Sequence, residues 1–156
     1  MRIFITGCSS GIGRALAIEF SSQGHEVLAT ARSLDSIKDL EAAHSCRIAC
    51  VDVNAPATLS AALNSFGHPV DVCIANAGAS AFGPLLDQNV AIVESIMRTN
   101  VLGVVATAQA VVPHSASMGY NLHPLPPTPA FSSLHRHEGS ARSLLTAAPV
   151  RVPFEQ

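Results

Sequence analysis

Thr6-Gly7-Cys8-Ser9-Ser10-Gly11-Ile12-Gly13 joins a short apolar run, Arg2-Ile3-Phe4-Ile5-Thr6, to a stretch where Ile12, Ala15, Leu16 and Phe20 recur at helical spacing. An apolar run closed by glycine reads as a buried parallel strand, and the spacing after it as a helix that Gly24 stops. The turn between them must aim a helix N-terminus, rich in unpaired N–H groups, at a pair of linked phosphates. Backbone must also approach that ligand with no Cβ in the way. Gly7, Gly11 and Gly13 can supply the turn, the close approach and the helix–strand contact, with Ser9, Ser10 and Ile12 set among them. A bare glycine pattern also suits a simple strand-to-helix turn. Its position after the first strand and at the head of the first helix is what a dinucleotide site requires.

Outward from this turn the pattern repeats. Val27–Thr30 reads as a second strand, and Leu34, Ile37, Leu40 and Glu41 as a second helix. Ile48–Val51 is a third strand ending at Asp52. Asn54 and Pro56 announce a third helix through Leu59, Ala62, Leu63 and Phe66. Val70–Ala75 is a fourth strand, and Val90, Val93, Met97, Val101, Val104 and Ala108 mark a long helix between Gln88 and Val112. Strand and helix alternate every 20–25 residues or so, the signature of βαβ units in a parallel sheet. Right-handed crossovers then place helices on both faces. The expected class is α/β, a doubly wound parallel sheet.

Composition narrows the remainder. The 156 residues carry 9 Lys+Arg and 11 Asp+Glu, net −2, which leaves no basic footprint for nucleic acid. With 48% hydrophobic and 13% charged residues, a wholly disordered chain is excluded. No uninterrupted apolar run of about 18 residues occurs, so no membrane span is expected. The N-terminal apolar run meets Thr6-Gly7 too soon for a secretory signal. Cys8, Cys46, Cys50 and Cys73 lack disulfide-framework spacing, so a cytoplasmic location is expected.

Two regions differ in character, 1–112 patterned and 113–156 irregular and rich in Pro, Ser and His. Seven of the ten prolines and four of the seven histidines fall in the second region. His114, His123, His135 and His137 lack the rigid spacing of metal ligands, and no metal site is assigned.

The glycine pattern, T-G-x-x-x-G-x-G, resembles the short-chain dehydrogenase/reductase family. Asp52-Val53 closes the third strand, where that family places an acid near the adenine ring. Asn76-Ala77-Gly78 matches its N-A-G turn, and Asn100-Val101-Leu102-Gly103 its N-x-x-G element. The resemblance covers about residues 1–114. It implies a Rossmann-like fold, here expected to be truncated after the fourth strand and the long helix. It also implies a nicotinamide dinucleotide cofactor and a small carbonyl or alcohol substrate. The wording of residues 6–40 is most similar to reductases of lipid-like or acyl ketones. For Asn100 the resemblance implies a catalytic role, holding a water through neighbouring backbone.

At the end of the second strand NAD sites place an acid that holds the ribose 2′-hydroxyl. Here stands Thr30-Ala31-Arg32-Ser33. A guanidinium forks onto a 2′-phosphate where a carboxylate would repel it. NADP(H) is therefore the expected cofactor, with Arg32 on the 2′-phosphate and Ser33 as helper. The alternative for Arg32 is a solvated arginine paired with Asp35.

Reduction of a carbonyl requires a positioned proton donor. The family resemblance implies a tyrosine with a lysine four residues on. The only tyrosine is Tyr120, four residues before Pro124, and the only lysine is Lys38. Activity is expected to be impaired. Ser115 and Ser117 are nearby hydroxyls without a strand pattern, and neither is assigned. The alternatives are a non-catalytic nucleotide-binding or interaction fragment, docking or forming an oligomer through the Val90–Val112 helix, and a frame-shifted or mis-spliced product. The genetic code lets Leu134-His135-Arg136-His137-Glu138, shifted by one nucleotide, encode Tyr-x-x-x-Lys. That requires an A at the third base of the Leu134 codon.

Overall fold

The computed structural model describes residues 1–115. Tyr120, Ser117, the Leu134–Glu138 stretch and the greater part of the 113–156 tail lie outside the described residues.

Four strands, β1 (Arg2–Thr6), β2 (Glu26–Ala31), β3 (Arg47–Cys50) and β4 (Val72–Ile74), form one parallel sheet in the order β3-β2-β1-β4. The order reverses direction between β1 and β4, the place where doubly wound sheets open a ligand crevice at their C-terminal ends. β1 lies inside the sheet, and period-2 alternation sends its side chains to opposite faces. Ile3 and Ile5 join Val27, Ala29, Ala17, Ile37 and Leu40 on one face. Phe4 joins Leu28, Leu59, Leu63, Phe66 and Val111 on the other. Burial on both faces explains why β1 reads as a continuous apolar run. The fully buried Phe66 alone contributes roughly 1.5–3 kcal/mol.

The first face is covered by α1 (Gly11–Ser22) and α2 (Lys38–His44), the second by α3 (Pro56–Phe66) and α5 (Gly103–Val111). Pro56 starts α3 where its missing N–H costs nothing. Arg47 closes the other end of α3, donating to Ser65 O and Phe66 O at 2.6 Å each while stacking over the Phe66 ring. At the N-terminal edge of the sheet Arg2 forks onto Asp71, and that contact holds the Asp71 carboxyl below its ordinary range.

Three elements differ from the expected pattern. The second helix does not start at Leu34. Ser36 donates from N and Oγ to Ser33 O and Ile37 N donates to Leu34 O, which closes a 3-10 turn, Leu34–Ser36, before α2. Short polar side chains compete with helical hydrogen bonding in this way.

The long helix is also interrupted. α4 (Val90–Met97) is capped by Asn89, whose Oδ1 accepts from Ala91 N, and passes through a π-helical turn, Arg98–Leu102, into α5. Together with the 3-10 turn Val112–His114 it makes one helical run, Val90–His114, of 25 residues. By length and mean hydropathy, 1.4, it could cross a membrane, and only 11% of its most apolar window is buried. This corrects the ground on which a span was set aside, because Glu94 and Arg98 interrupt the apolar run without lowering its mean enough. Its second half packs in the core through Gly103, Thr107 and Val111.

Thirdly, β4 begins two residues later than expected, and its outer edge is not wholly bare. Val70 N donates to His114 O at 2.7 Å, and Val70 and Ser115 form a parallel bridge.

Candidate functional site

The ends of all four strands bring the sequence motifs to one edge of the sheet. Gly7 leaves β1 with φ +76° and Gly11 enters α1 with φ +60°, left-handed values that a side chain disfavours. Around Gly11 nothing lies within 4 Å of where a Cβ would stand, so this backbone faces open space. Gly13 has the opposite surroundings. A Cβ there would sit 2.5 Å from Gly7 O and 2.4 Å from Asn76 Nδ2. It is the contact that lets helix and turn close on each other.

The N-A-G turn locks the glycine turn from the β4 side. Asn76 Nδ2 donates to Thr6 O at 3.1 Å and to Gly7 O at 3.0 Å. In return Thr6 Oγ1 accepts from Asn76 N and Ala77 N, both at 3.0 Å. From the β2 side Thr30 O accepts from Cys8 N at 2.8 Å. Thr6 is fully buried and was not among the expected site residues. Its signal was its place as the last, β-branched residue of the strand before the glycine.

Ser9, Ser10, Gly11 and Ile12 are exposed at the head of α1. Ser10 occupies the N-cap position in extended backbone, but its side chain caps nothing, and the first turn holds no acidic residue. A 12-residue helix therefore presents unpaired N–H groups and its positive dipole end together. That arrangement fits an anionic pyrophosphate, with Gly11 leaving the room that a Cβ would fill.

Arg32 and Ser33 follow β2 and are exposed. Among the described residues Arg32 makes no ion pair, and Asp35, its alternative partner, is held by Lys38 Nζ at 2.5 Å. Asp52 and Val53 follow β3. Asp52 Oδ1 accepts from Asn54 N at 2.9 Å, and its backbone is tied to Thr58. Val53 has its side chain buried against Gly103, where a Cβ would fall 2.7 Å from Val53 Cγ2. Only the backbone of Val53 can therefore face an adenine, and the glycine of N-x-x-G is explained by that packing.

Asn100 lies in the π-helical turn, a local distortion that recurs at functional sites. Its Oδ1 accepts from Ala79 N at 2.8 Å and its Nδ2 donates to Ala79 O at 2.9 Å. It thus clasps the strand end just beyond Gly78, whose hypothetical Cβ would lie 3.4 Å from Asn100 Oδ1. Gly7, Gly13, Asn76, Ala77, Gly78 and Asn100 form one connected cluster. Arg32 and Asp52 stand apart at the neighbouring strand ends.

Two of the four cysteines, Cys8 and Cys50, stand at this edge of the sheet. Desolvation pushes the Cys8 and Cys73 thiols up to about 12 and raises that of the buried Cys46. Cys50 is exposed, its Sγ donating to Arg32 O at 3.3 Å. Thiolate and access govern alkylation, so iodoacetamide on the folded chain is expected to label Cys50 first, and the other three only after denaturation. Peptide mapping that found Cys8 labelled as fast would contradict this packing.

A four-stranded parallel sheet with an uncapped, glycine-lined helix N-terminus at its switch point defines a dinucleotide-binding α/β domain. The chain belongs to the short-chain dehydrogenase family: a family model described as short chain dehydrogenase matches residues 1–120. Human retinol dehydrogenase 8 is 33% identical over 120 residues, covering 71% of this chain and 39% of that protein. An NADPH-dependent 1-acyldihydroxyacetone phosphate reductase of Schizosaccharomyces pombe is 32% identical over 112 residues, covering 69% and 38%. A solved closed form of serine dehydrogenase complexed with NADP+ superposes with TM-score 0.69 at 29% identity, covering 73% of this chain and 48% of that one. The chain thus spans about two fifths of the length of the curated relatives it matches. The family fold implies a nicotinamide dinucleotide cofactor.

Proposed function

We propose that this chain binds NADP(H) and is the cofactor-binding part of a short-chain oxidoreductase of carbonyls or secondary alcohols, with little or no turnover of its own. The observation that carries the reading is the exposed Arg32 at the end of β2, without an ion-pair partner among the described residues, together with the uncapped head of α1. The N–H groups of Ser9–Gly13 would take the pyrophosphate, and Arg32, aided by Ser33, the 2′-phosphate. Asp52 and the Val53 backbone would face the adenine, and Asn76-Ala77-Gly78 the ribose side of the crevice. When bound, the nicotinamide supplies or accepts a hydride. The NADP+ and NADPH named for two similar proteins support the choice of cofactor, and the retinol and acyl names support a lipid-like substrate class. Weak turnover follows from the absence of any Tyr-x-x-x-Lys in the sequence, since a general acid typically contributes about 10²–10⁴-fold. A cytoplasmic location belongs to the same proposal, on the cysteine pattern.

Calorimetry of the folded chain should give heat of association with NADPH, and an NADPH-oxidation assay over a ketone panel should stay near background. A flat trace overturns the binding, and sustained turnover overturns the impairment. Sequencing the coding DNA at codon 134 tests the shifted-frame origin, which needs A at the third base.

A second reading is favoured by the apolar side chains left exposed along Val90–Val112. Val93, Met97, Val101 and Leu102 line an open groove of about 510 Å³ with Glu94 and Arg98. Patches of this kind mark association, here with a second copy or a longer homologue, and co-purification with such a homologue would support it.

A further inference from the structure

We propose that Arg14 is a positioning residue for 2′-phosphate recognition: it pins the loop that carries Arg32 and Ser33 onto helix α1. The inference rests on the NADP(H) reading above. Arg14 directly follows Gly13, on the helix whose head would receive the pyrophosphate. Its guanidinium spans two elements. Nη1 donates to Ser36 O at 3.3 Å, and Nη2 pairs with Asp39 on α2. Ser36 in turn closes back on Ser33, with Oγ donating to Ser33 O at 2.6 Å and N donating to it at 3.3 Å. A continuous chain of hydrogen bonds thus runs from Arg14 through Ser36 to Ser33, the neighbour of Arg32. From the opposite side Cys50 Sγ holds Arg32 O. The loop is braced at both ends, by α1 and by β3, while the Arg32 side chain stays exposed and without an ion pair among the described residues.

An exposed ion pair adds little to stability by itself. A planar fork shared between a carbonyl and a carboxylate does something else, because it fixes direction as well as distance. Binding groups must be held within roughly 0.5 Å of their working geometry to deliver their full effect. The two phosphate contacts proposed for NADP(H), the pyrophosphate at the head of α1 and the 2′-phosphate at Arg32, sit on elements that Arg14 joins, and only the second is particular to NADP(H). NADH shares the pyrophosphate and the adenine and lacks only the 2′-phosphate, so it serves as an internal control. A merely structural Arg14 would change both affinities alike.

The test is calorimetric titration of NADPH and NADH into the full chain and three variants. Arg14→Met keeps the stem and removes the fork. Arg14→Lys keeps a charge for Asp39 but cannot reach Ser36 O and Asp39 together. Asp39→Asn loosens the strut and leaves Arg14 in place, and it carries the test should Arg14→Met fail to fold. The expected result is a loss of about three- to tenfold in NADPH affinity for Arg14→Met, the worth of one or two hydrogen bonds, with NADH within about twofold of wild type and the other variants between. Equal losses for both nucleotides, or none, overturn the inference while wild type still prefers NADPH. A wild type that binds NADH as tightly as NADPH removes the Arg32 reading instead, and this inference with it.

Discussion

Arg32→Asp is expected to lower NADPH affinity by roughly 100-fold or more while leaving NADH affinity equal or improved. One or two hydrogen bonds between charged groups are lost, each contributing about 1.5–3 kcal/mol, and about 1.4 kcal/mol corresponds to a factor of ten. The introduced carboxylate also repels a 2′-phosphate and can accept from a 2′-hydroxyl, the arrangement of NAD-preferring sites. Arg32→Lys should fall between, because an ammonium keeps the charge but not the fork. Because Arg32 has no ion-pair partner among the described residues, its loss should leave the melting temperature of the free chain unchanged. That separates a binding effect from a folding one. Fluorescence or calorimetric titration of both nucleotides measures the ratio, and an unchanged NADPH affinity would remove Arg32 from the site.

Gly7→Ala is expected to destabilise the fold by roughly 3 kcal/mol, combining a left-handed backbone cost of about 1–2 kcal/mol with an overpacking cost of about 1–3 kcal/mol. The left-handed term comes from φ +76°. The packing term comes from a Cβ that would lie 2.7 Å from Ala77 Cα and 3.0 Å from Ala77 N, both backbone atoms with little freedom to retreat. For a domain of this size the loss corresponds to a fall in melting temperature of about 10 °C or more. Gly11→Ala is the matched control. Its φ of +60° carries the backbone cost, but nothing lies near the new methyl. It should cost only about 1–2 kcal/mol and still weaken NADPH binding, because the methyl occupies the approach to the pyrophosphate. Thermal melts and titrations on both variants check the pair. A Gly7→Ala chain as stable as Gly11→Ala would show that the N-A-G turn does not press on the glycine turn.

Much of the fold could be read in residue order. Ile3, Phe4 and Ile5 have no polar partner to alternate with, so a strand covered on both faces was legible at once. Helices α1 and α3 were legible for the same local reasons, apolar spacing with Pro56 at the start of one and Gly24 past the end of the other. Where short polar groups competed with a helix, the pattern misled. Ser33 and Ser36 turned the chain through a 3-10 turn before α2, and the spacing of Leu34, Ile37 and Leu40 concealed it. The π-helical turn at Arg98–Leu102 was invisible for another reason. It ends where Gly103 packs on Val53, fifty residues away, a contact that no local spacing records. Glu94 and Arg98 likewise broke up the apolar run, so the high hydropathy of this helix shows only as an average over its most apolar window.

By itself the sequence determined the parallel α/β class, the glycine turn and the family, because each depends on residues close together along the chain, where sterics and spacing act locally. It also determined that no lysine follows a tyrosine at the spacing a proton relay needs. Only the tertiary structure decided how the turns are locked. Thr6 meets Asn76, Asn100 meets Ala79, and Arg14 meets Ser36 and Asp39 across 70, 21, 22 and 25 positions. Such pairs are made by the crossing of strands and helices, which brings hydrogen-bonding groups together at distances that no local periodicity records.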